Sequence, residues 1–272
     1  MRNIFTMGID IGSTTSKCVV LKDGQEIVGK SLVAVGAGTS GPDRAIQAVL
    51  AACRLSREDM SYVLATGYGR HLLDWIDAEL SELSCHAQGA HYIFPQARTV
   101  IDIGGQDAKV LRIDSEGMLD SFTMNTKCAA GTGRFLEVMA RVLEVEMDDL
   151  ERLSEQSTEV VNISSTCTVF AESEVISQLS HNTPKCDIIR GIHRSVAGRV
   201  AGLAKSVGVE DEVVMTGGVS RNGGVVLALE EALGKRIQVS PLSQYAGALG
   251  AALFAFQKWQ KICITMRLTT FF

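Results

Sequence analysis

The stretch Ile9-Asp10-Ile11-Gly12-Ser13-Thr14-Thr15-Ser16-Lys17 returns later in the chain as Ile101-Asp102-Ile103-Gly104-Gly105-Gln106-Asp107-Ala108-Lys109, with Asp, Gly and Lys in step. Each copy follows an apolar run and leads into another, Cys18-Val19-Val20-Leu21 in the first and Val110-Leu111-Arg112-Ile113 in the second. Each then closes on turn residues, Lys22-Asp23-Gly24 and Asp114-Ser115-Glu116-Gly117. Two strand-like runs around a short Gly/polar connection read as a β-hairpin. The distance between copies is too long for a solenoid repeat. The chain is therefore predicted to hold two similar halves, residues 1–97 and 98–258, each opening on the same hairpin, with the last helix able to pack back on the first half.

Outward from the first hairpin, residues 26–35 read as a third strand and 36–41 as a Gly-rich loop. Asp43 is placed to cap a helix running to Cys53, with Ala45, Ile46, Val49 and Leu50 on its buried side. Tyr62-Val63-Leu64-Ala65 is a short buried strand that ends in Thr66-Gly67-Tyr68-Gly69-Arg70. In the second half a strand is predicted at 119–124, with helices from about 129 and 168. Ile188, Ile192, Val196, Val200 and Leu203 make a helical stripe over 187–207. Val213-Val214-Met215 is a strand broken at Gly217-Gly218, and 244–259 reads as an Ala/Gly/Leu-rich helix. Residues 262–272, within an atypical tail (259–272), fit no element cleanly.

At 272 residues with 46% hydrophobic and 21% charged, the chain has the balance of a globular protein, not a disordered or fibrous one. A formal charge of -5 argues against nucleic acid as a partner. No apolar run approaches the roughly 20 residues a membrane helix needs, and no charged-then-apolar leader opens the chain. Seven cysteines cannot all pair, and no CxxC occurs. These features predict a cytoplasmic, reduced protein away from membranes.

A strand ending in Asp, followed by Gly and hydroxyl residues in a tight turn, suits a nucleotide phosphate. Gly12 lets the backbone approach, Ser13, Thr14 and Thr15 supply N–H and hydroxyl donors, and Lys17 follows in step. Asp10 can hold Mg2+ through water, because Mg2+ keeps much of its hydration shell. Gly104, Gly105, Gln106 and Asp107 offer the same grip from the second half, with Asp102 matching Asp10. Gln106 can orient an attacking water. The plainer alternative is that each Gly turn only closes a hairpin. Two matched copies, together with Gly217 and Gly218 as a surface for an adenosine, favour a nucleotide site. No GxxxxGK[ST] is present, so this is not a P-loop protein.

Two cysteines stand apart by context. Cys128 follows Asn125-Thr126-Lys127 and Cys167 follows Ser164-Ser165-Thr166, each just before a predicted helix. A helix N-terminus lowers a thiol pKa and favours an anionic group. A [4Fe–4S] cluster takes four thiolates, and a two-fold dimer would supply two from each copy. The alternative is that both are small packed hydrophobes. Cys18, Cys53 and the Cys85-His86 pair read as packing residues.

The order of phosphate loop one, phosphate loop two and Gly-Gly resembles the actin/sugar-kinase/Hsp70 ATPase superfamily. That resemblance spans roughly residues 3 to 257 and implies an α/β protein of actin-like (ribonuclease H-like) fold. Two similar subdomains with mixed five-stranded sheets would flank a nucleotide cleft holding ATP and Mg2+. The runs Asn125-Thr126-Lys127-Cys128-Ala129-Ala130-Gly131-Thr132-Gly133-Arg134-Phe135 and Cys167-Thr168-Val169-Phe170-Ala171-Glu172-Ser173-Glu174-Val175 resemble the activators of (R)-2-hydroxyacyl-CoA dehydratases, within the BadF/BadG/BcrA/BcrD ATPase family. Gly67-Tyr68-Gly69-Arg70 and Ser81-Glu82-Leu83-Ser84-Cys85-His86-Ala87 support the likeness. The resemblance implies a homodimer bridged by one [4Fe–4S] cluster on Cys128 and Cys167. It also implies an electron donor, ferredoxin or flavodoxin, and a 2-hydroxyacyl-CoA dehydratase as acceptor in anaerobic amino-acid fermentation. Rival readings are a small-molecule kinase of the same superfamily, a non-redox ATP-switched regulator, and the ATPase subunit of a benzoyl-CoA reductase.

Overall fold

β1 (Phe5–Ile11) and β2 (Ser16–Lys22) form the predicted first hairpin, with Asp10 opposite Lys17 in the antiparallel register. The computed structural model of the chain describes residues 3–163 and 167–269. β3 (Glu26–Val33), β4 (Met60–Thr66) and β5 (Ala78–Glu79) complete a five-stranded sheet in the order β3-β2-β1-β4-β5. β1 pairs antiparallel with β2 and parallel with β4, so the sheet is mixed. Alternation along β1 sends Met7, Ile9 and Ile11 to one face, where they pack against Ala45, Ile46 and Val49 of α1 (Gly41–Cys53). On the other face Thr6 Oγ1 donates to the Ala252 carbonyl of α8 (Ala246–Thr269). α8 also packs on α2 (Glu82–Ile93). Their backbones meet where Gly89 faces Ala246 and Gly250 faces Cys85; a Cβ at either glycine would stand 1.8 Å from a carbonyl oxygen.

The second unit repeats the plan. β6 (Thr99–Ile103), β7 (Ala108–Ile113), β8 (Leu119–Asn125), β9 (Val213–Thr216) and β10 (Ile237–Gln238) run in the order β10-β9-β6-β7-β8. Asp102 lies opposite Lys109, as Asp10 lies opposite Lys17. The helices are α3 (Gly133–Leu143), α4 (Leu150–Ser154), α5 (Thr168–Ser180), α6 (Lys185–Val207) and α7 (Gly223–Leu233). The stripe predicted over 187–207 is buried at Ile188, Ile192, Val196 and Val200, against Phe135, Leu136 and Met139 of α3.

The first unit gathers the chain to Pro95, Glu116–Met118 and the chain from Tyr245 onward, so the last helix, α8, packs with the first hairpin's sheet. Several expectations are corrected. α1 begins at Gly41 after Ser40, with Pro in its first turn; Asp43 sits inside that turn instead of capping it. The helix expected from about 129 starts at Gly133, because Asn125 and Thr132 side chains hold the carbonyls of Cys128 and Ala129 in a preceding turn. The tail also differs. α8 continues to Thr269, since no Gly or Pro interrupts the chain after Gly250. Among the described residues, no helix is long and apolar enough to cross a membrane.

Candidate functional site

In the first unit, the β1–β2 connection is a tight turn closed by the Gly12 N–H donating to the Thr15 carbonyl at 3.0 Å. Asp10 is 2% exposed at the end of β1, and Lys17 Nζ lies 3.3 Å from its Oδ2. Ser13 is exposed, while Gly12, Thr14 and Thr15 are half-buried. The structure therefore brings Asp10, Gly12, Ser13, Thr14, Thr15 and Lys17 to one sheet end. β4 ends there too, on Thr66-Gly67, with Thr66 paired to Asp10.

The second unit has the same turn, with the Gly104 N–H donating to the Asp107 carbonyl at 2.9 Å. Lys109 is 1% exposed, and its Nζ lies 3.2 Å from Asp102 Oδ2 and 2.9 Å from Asp107 Oδ2. A buried ammonium needs such partners to remain charged. Gln106 is exposed at the tip. β9 pairs Thr216 with Asp102, and Thr216 Oγ1 donates to Asp102 Oδ1 at 2.7 Å. The chain then turns through Gly217, whose φ of 82° and approach to the Ile103 carbonyl exclude a side chain. Gly218 is exposed just beyond. So Asp102, Gly104, Gly105, Gln106, Asp107, Gly217 and Gly218 also converge at one sheet end.

Sequence reasoning passed over Thr66 and Thr216 as partners of the matched aspartates. The signal was there: Ala65-Thr66-Gly67 and Met215-Thr216-Gly217 both close a parallel strand beside an aspartate.

Each loop can present backbone N–H groups to a phosphate, while Lys17 and Lys109 are engaged with the loop carboxylates, Lys17 with Asp10 and Lys109 with Asp102 and Asp107. The second loop is also wired to Cys128. The Gly133 and Arg134 N–H groups of α3 donate to the Gly104 and Gly105 carbonyls at 2.9 and 2.8 Å. Thr132, just before them, bonds the Ala129 carbonyl, and Asn125 donates to the Cys128 carbonyl at 2.8 Å. Cys128 thus lies in the turn ahead of α3 rather than at the helix start itself. Cys167 does stand at the start of α5, and the Ala171 N–H donates to its carbonyl. The flanking Ser164-Ser165-Thr166 lies outside the described residues. Both thiols are half-buried. Burial pushes the Cys18, Cys53 and Cys85 thiols up, the last to about 12, which makes them poor thiolate ligands. Among the described residues, no group of three or more His, Cys, Asp or Glu could hold a metal within one chain. His86 is buried on α2 with Nδ1 3.0 Å from the Glu82 carbonyl.

Paired hairpin sheets with matched Asp-Gly turns and a Gly-Gly strand end define an ATPase of the actin-like fold. The fold alone is shared with MreB 5 of Spiroplasma citri, at a TM-score of 0.54 and 15% identity over 95% of this chain and 98% of that one. The chain belongs to the BadF/BadG/BcrA/BcrD ATPase family, whose model matches residues 7–255. It is 63% identical to the (R)-2-hydroxyglutaryl-CoA dehydratase activating ATPase of Acidaminococcus fermentans, over 95% of this chain and all of that one. It is also similar to the solved activator of the 2-hydroxyisocaproyl-CoA dehydratase from Clostridium difficile with bound ADPNP. There the TM-score is 0.93 at 52% identity, covering 96% of this chain and 98% of that one.

Proposed function

We propose that the chain is an ATP-driven one-electron activator of a 2-hydroxyacyl-CoA dehydratase. The backbone bridge from Gly104 and Gly105 through α3 to the Cys128 turn carries this reading. It gives a phosphate at the second loop a direct mechanical route to a cysteine. The relatives' names, as activators of dehydratases, supply the acceptor's class.

Cys128 and Cys167 of two copies would hold a [4Fe–4S] cluster. Their chemistry fits: both thiols are only half-buried, and the α5 start presents first-turn N–H groups to an anion. When bound, the cluster supplies a one-electron store, filled from ferredoxin or flavodoxin. Ser13, Thr14, Thr15, Gly105 and Gln106 would grip the phosphates of ATP, and Asp10 would hold the Mg2+ hydration shell. Gly217 and Gly218 would face the adenosine. Gln106, with Asp107 beside it, would orient an attacking water. A shift of the second loop on hydrolysis pulls on α3, and with it on the Cys128 turn.

The test is anaerobic purification with iron and sulfide analysis and an EPR spectrum of the dithionite-reduced protein. Cys128→Ser and Cys167→Ser should each abolish bound iron, while Cys53→Ser keeps it. Asp10→Ala should impair ATP hydrolysis without changing the spectrum as isolated. An iron-free protein after anoxic reconstitution would overturn the redox reading.

A further inference from the structure

The two loops are matched in sequence and register, yet their aspartates are not equally occupied. Asp102 has both oxygens engaged: Oδ2 faces Lys109 at 3.2 Å and Oδ1 accepts from Thr216 Oγ1 at 2.7 Å. All three side chains are essentially buried. Asp10 stands at the same register position with the same lysine, but Thr66, the counterpart of Thr216, donates elsewhere, to the Leu80 carbonyl at 3.0 Å. Among the described residues Asp10 Oδ1 has no hydrogen-bond partner. Gly67 packs closely against it: a Cβ there would stand 2.6 Å from that oxygen, so only glycine leaves the oxygen without a side chain over it. A carboxylate oxygen with no donor of its own is the better acceptor for a cation's water; Asp102, held on both oxygens by Lys109 and Thr216, is fixed in place first.

We propose that Thr216 is a positioning residue that fixes Asp102 as an internal strut for Lys109 and the second loop. The twin loops then divide their labour. Asp10 serves the hydrated cation, and Asp102 holds the second phosphate grip in shape. The inference rests on the ATP reading above and assigns the two carboxylates different roles within it.

The experiment measures binding of the non-hydrolysable analogue ADPNP to the full-length protein, purified anaerobically, across a Mg2+ titration. The melting temperature of the nucleotide-free protein is recorded alongside. Asp10→Asn should raise the Mg2+ concentration for half-maximal binding by about tenfold. Thr216→Val should keep the Mg2+ midpoint within about twofold, yet weaken ADPNP at saturating Mg2+ by about tenfold or more and lower the melting temperature. Thr216→Ser should restore both, because it keeps the donor. An equal Mg2+ shift in Asp10→Asn and Thr216→Val, or a Thr216→Val protein indistinguishable from the parent, would overturn the division of labour alone. Failure of the unaltered protein to bind ADPNP at any Mg2+ concentration would overturn the ATP reading and this inference with it.

Discussion

His193 on α6 is 1% exposed, its Nε2 has no hydrogen-bond partner among the described residues, and burial holds its pKa down to about 4 from 6.5. The unfolded chain therefore takes up the proton before the folded chain does. The stability this histidine contributes is whole above about pH 6.5 and is lost as pH falls towards 4, a loss on the order of 3 kcal/mol. Asp187, six residues earlier on α6, accepts from the Glu159 and Thr158 N–H groups and the Ser157 hydroxyl. Those bonds hold its carboxyl below the ordinary 3.8. Its contribution is lost only at lower pH, so the two groups act in separate windows. Urea unfolding followed from pH 7 to pH 4 should show a falling midpoint, and His193→Leu should flatten that fall. A variant with the parent's slope would remove His193 as its cause. Residue chemistry of this kind was hard to read from the chain, because a lone histidine in a helical stripe gives no sign of whether its ring is paired.

Elements were more legible than residues, and for a physical reason. Hairpins carry their signature locally, in apolar runs around a Gly turn, so β1, β2, β6 and β7 could be read directly, whereas the Asp–Lys pairs across them showed in the chain only as residues recurring in step. The two-residue strands β5 and β10 are too short to show a period. α7 is apolar around most of its circumference, so it offers no stripe, and α8 runs on beyond the expected end. The α2–α8 contact was invisible for another reason: it depends on which glycines face a second backbone. That contact gives a prediction. Gly89→Ala should destabilise the protein by about 3 kcal/mol or more, since its Cβ would stand 1.8 Å from the Ala246 carbonyl oxygen and two helices must part. Gly198→Ala on α6, where a Cβ meets nothing within 4 Å, should be neutral or stabilise by about 0.5–1 kcal/mol. Denaturation midpoints of the two variants decide it, and equal effects would deny the close approach its importance.

For the whole molecule, one chain brings two candidate cluster ligands where four are needed, so the proposed metal centre and the proposed dimer stand or fall together. The surface beside Cys167 agrees with a covered state. Val169 and Phe170, on the first turn of α5, are 66% and 65% exposed in the single chain, two adjacent large apolar side chains beside Cys167 that a second copy could cover. If a shared cluster ties two copies together, the assembly should depend on iron. Light scattering on the anaerobically prepared protein should then give the mass of two chains with about four irons between them. Oxidation with a chelator should release the iron and convert the dimer to a monomer of 29.2 kDa. Phe170→Ser should raise the concentration at which the dimer forms while leaving both cysteines in place. A dimer that survives complete loss of iron would mean that protein surfaces alone hold the copies together. A monomer that still carries four irons would require ligands other than Cys128 and Cys167, and would send the search back to the remaining thiols.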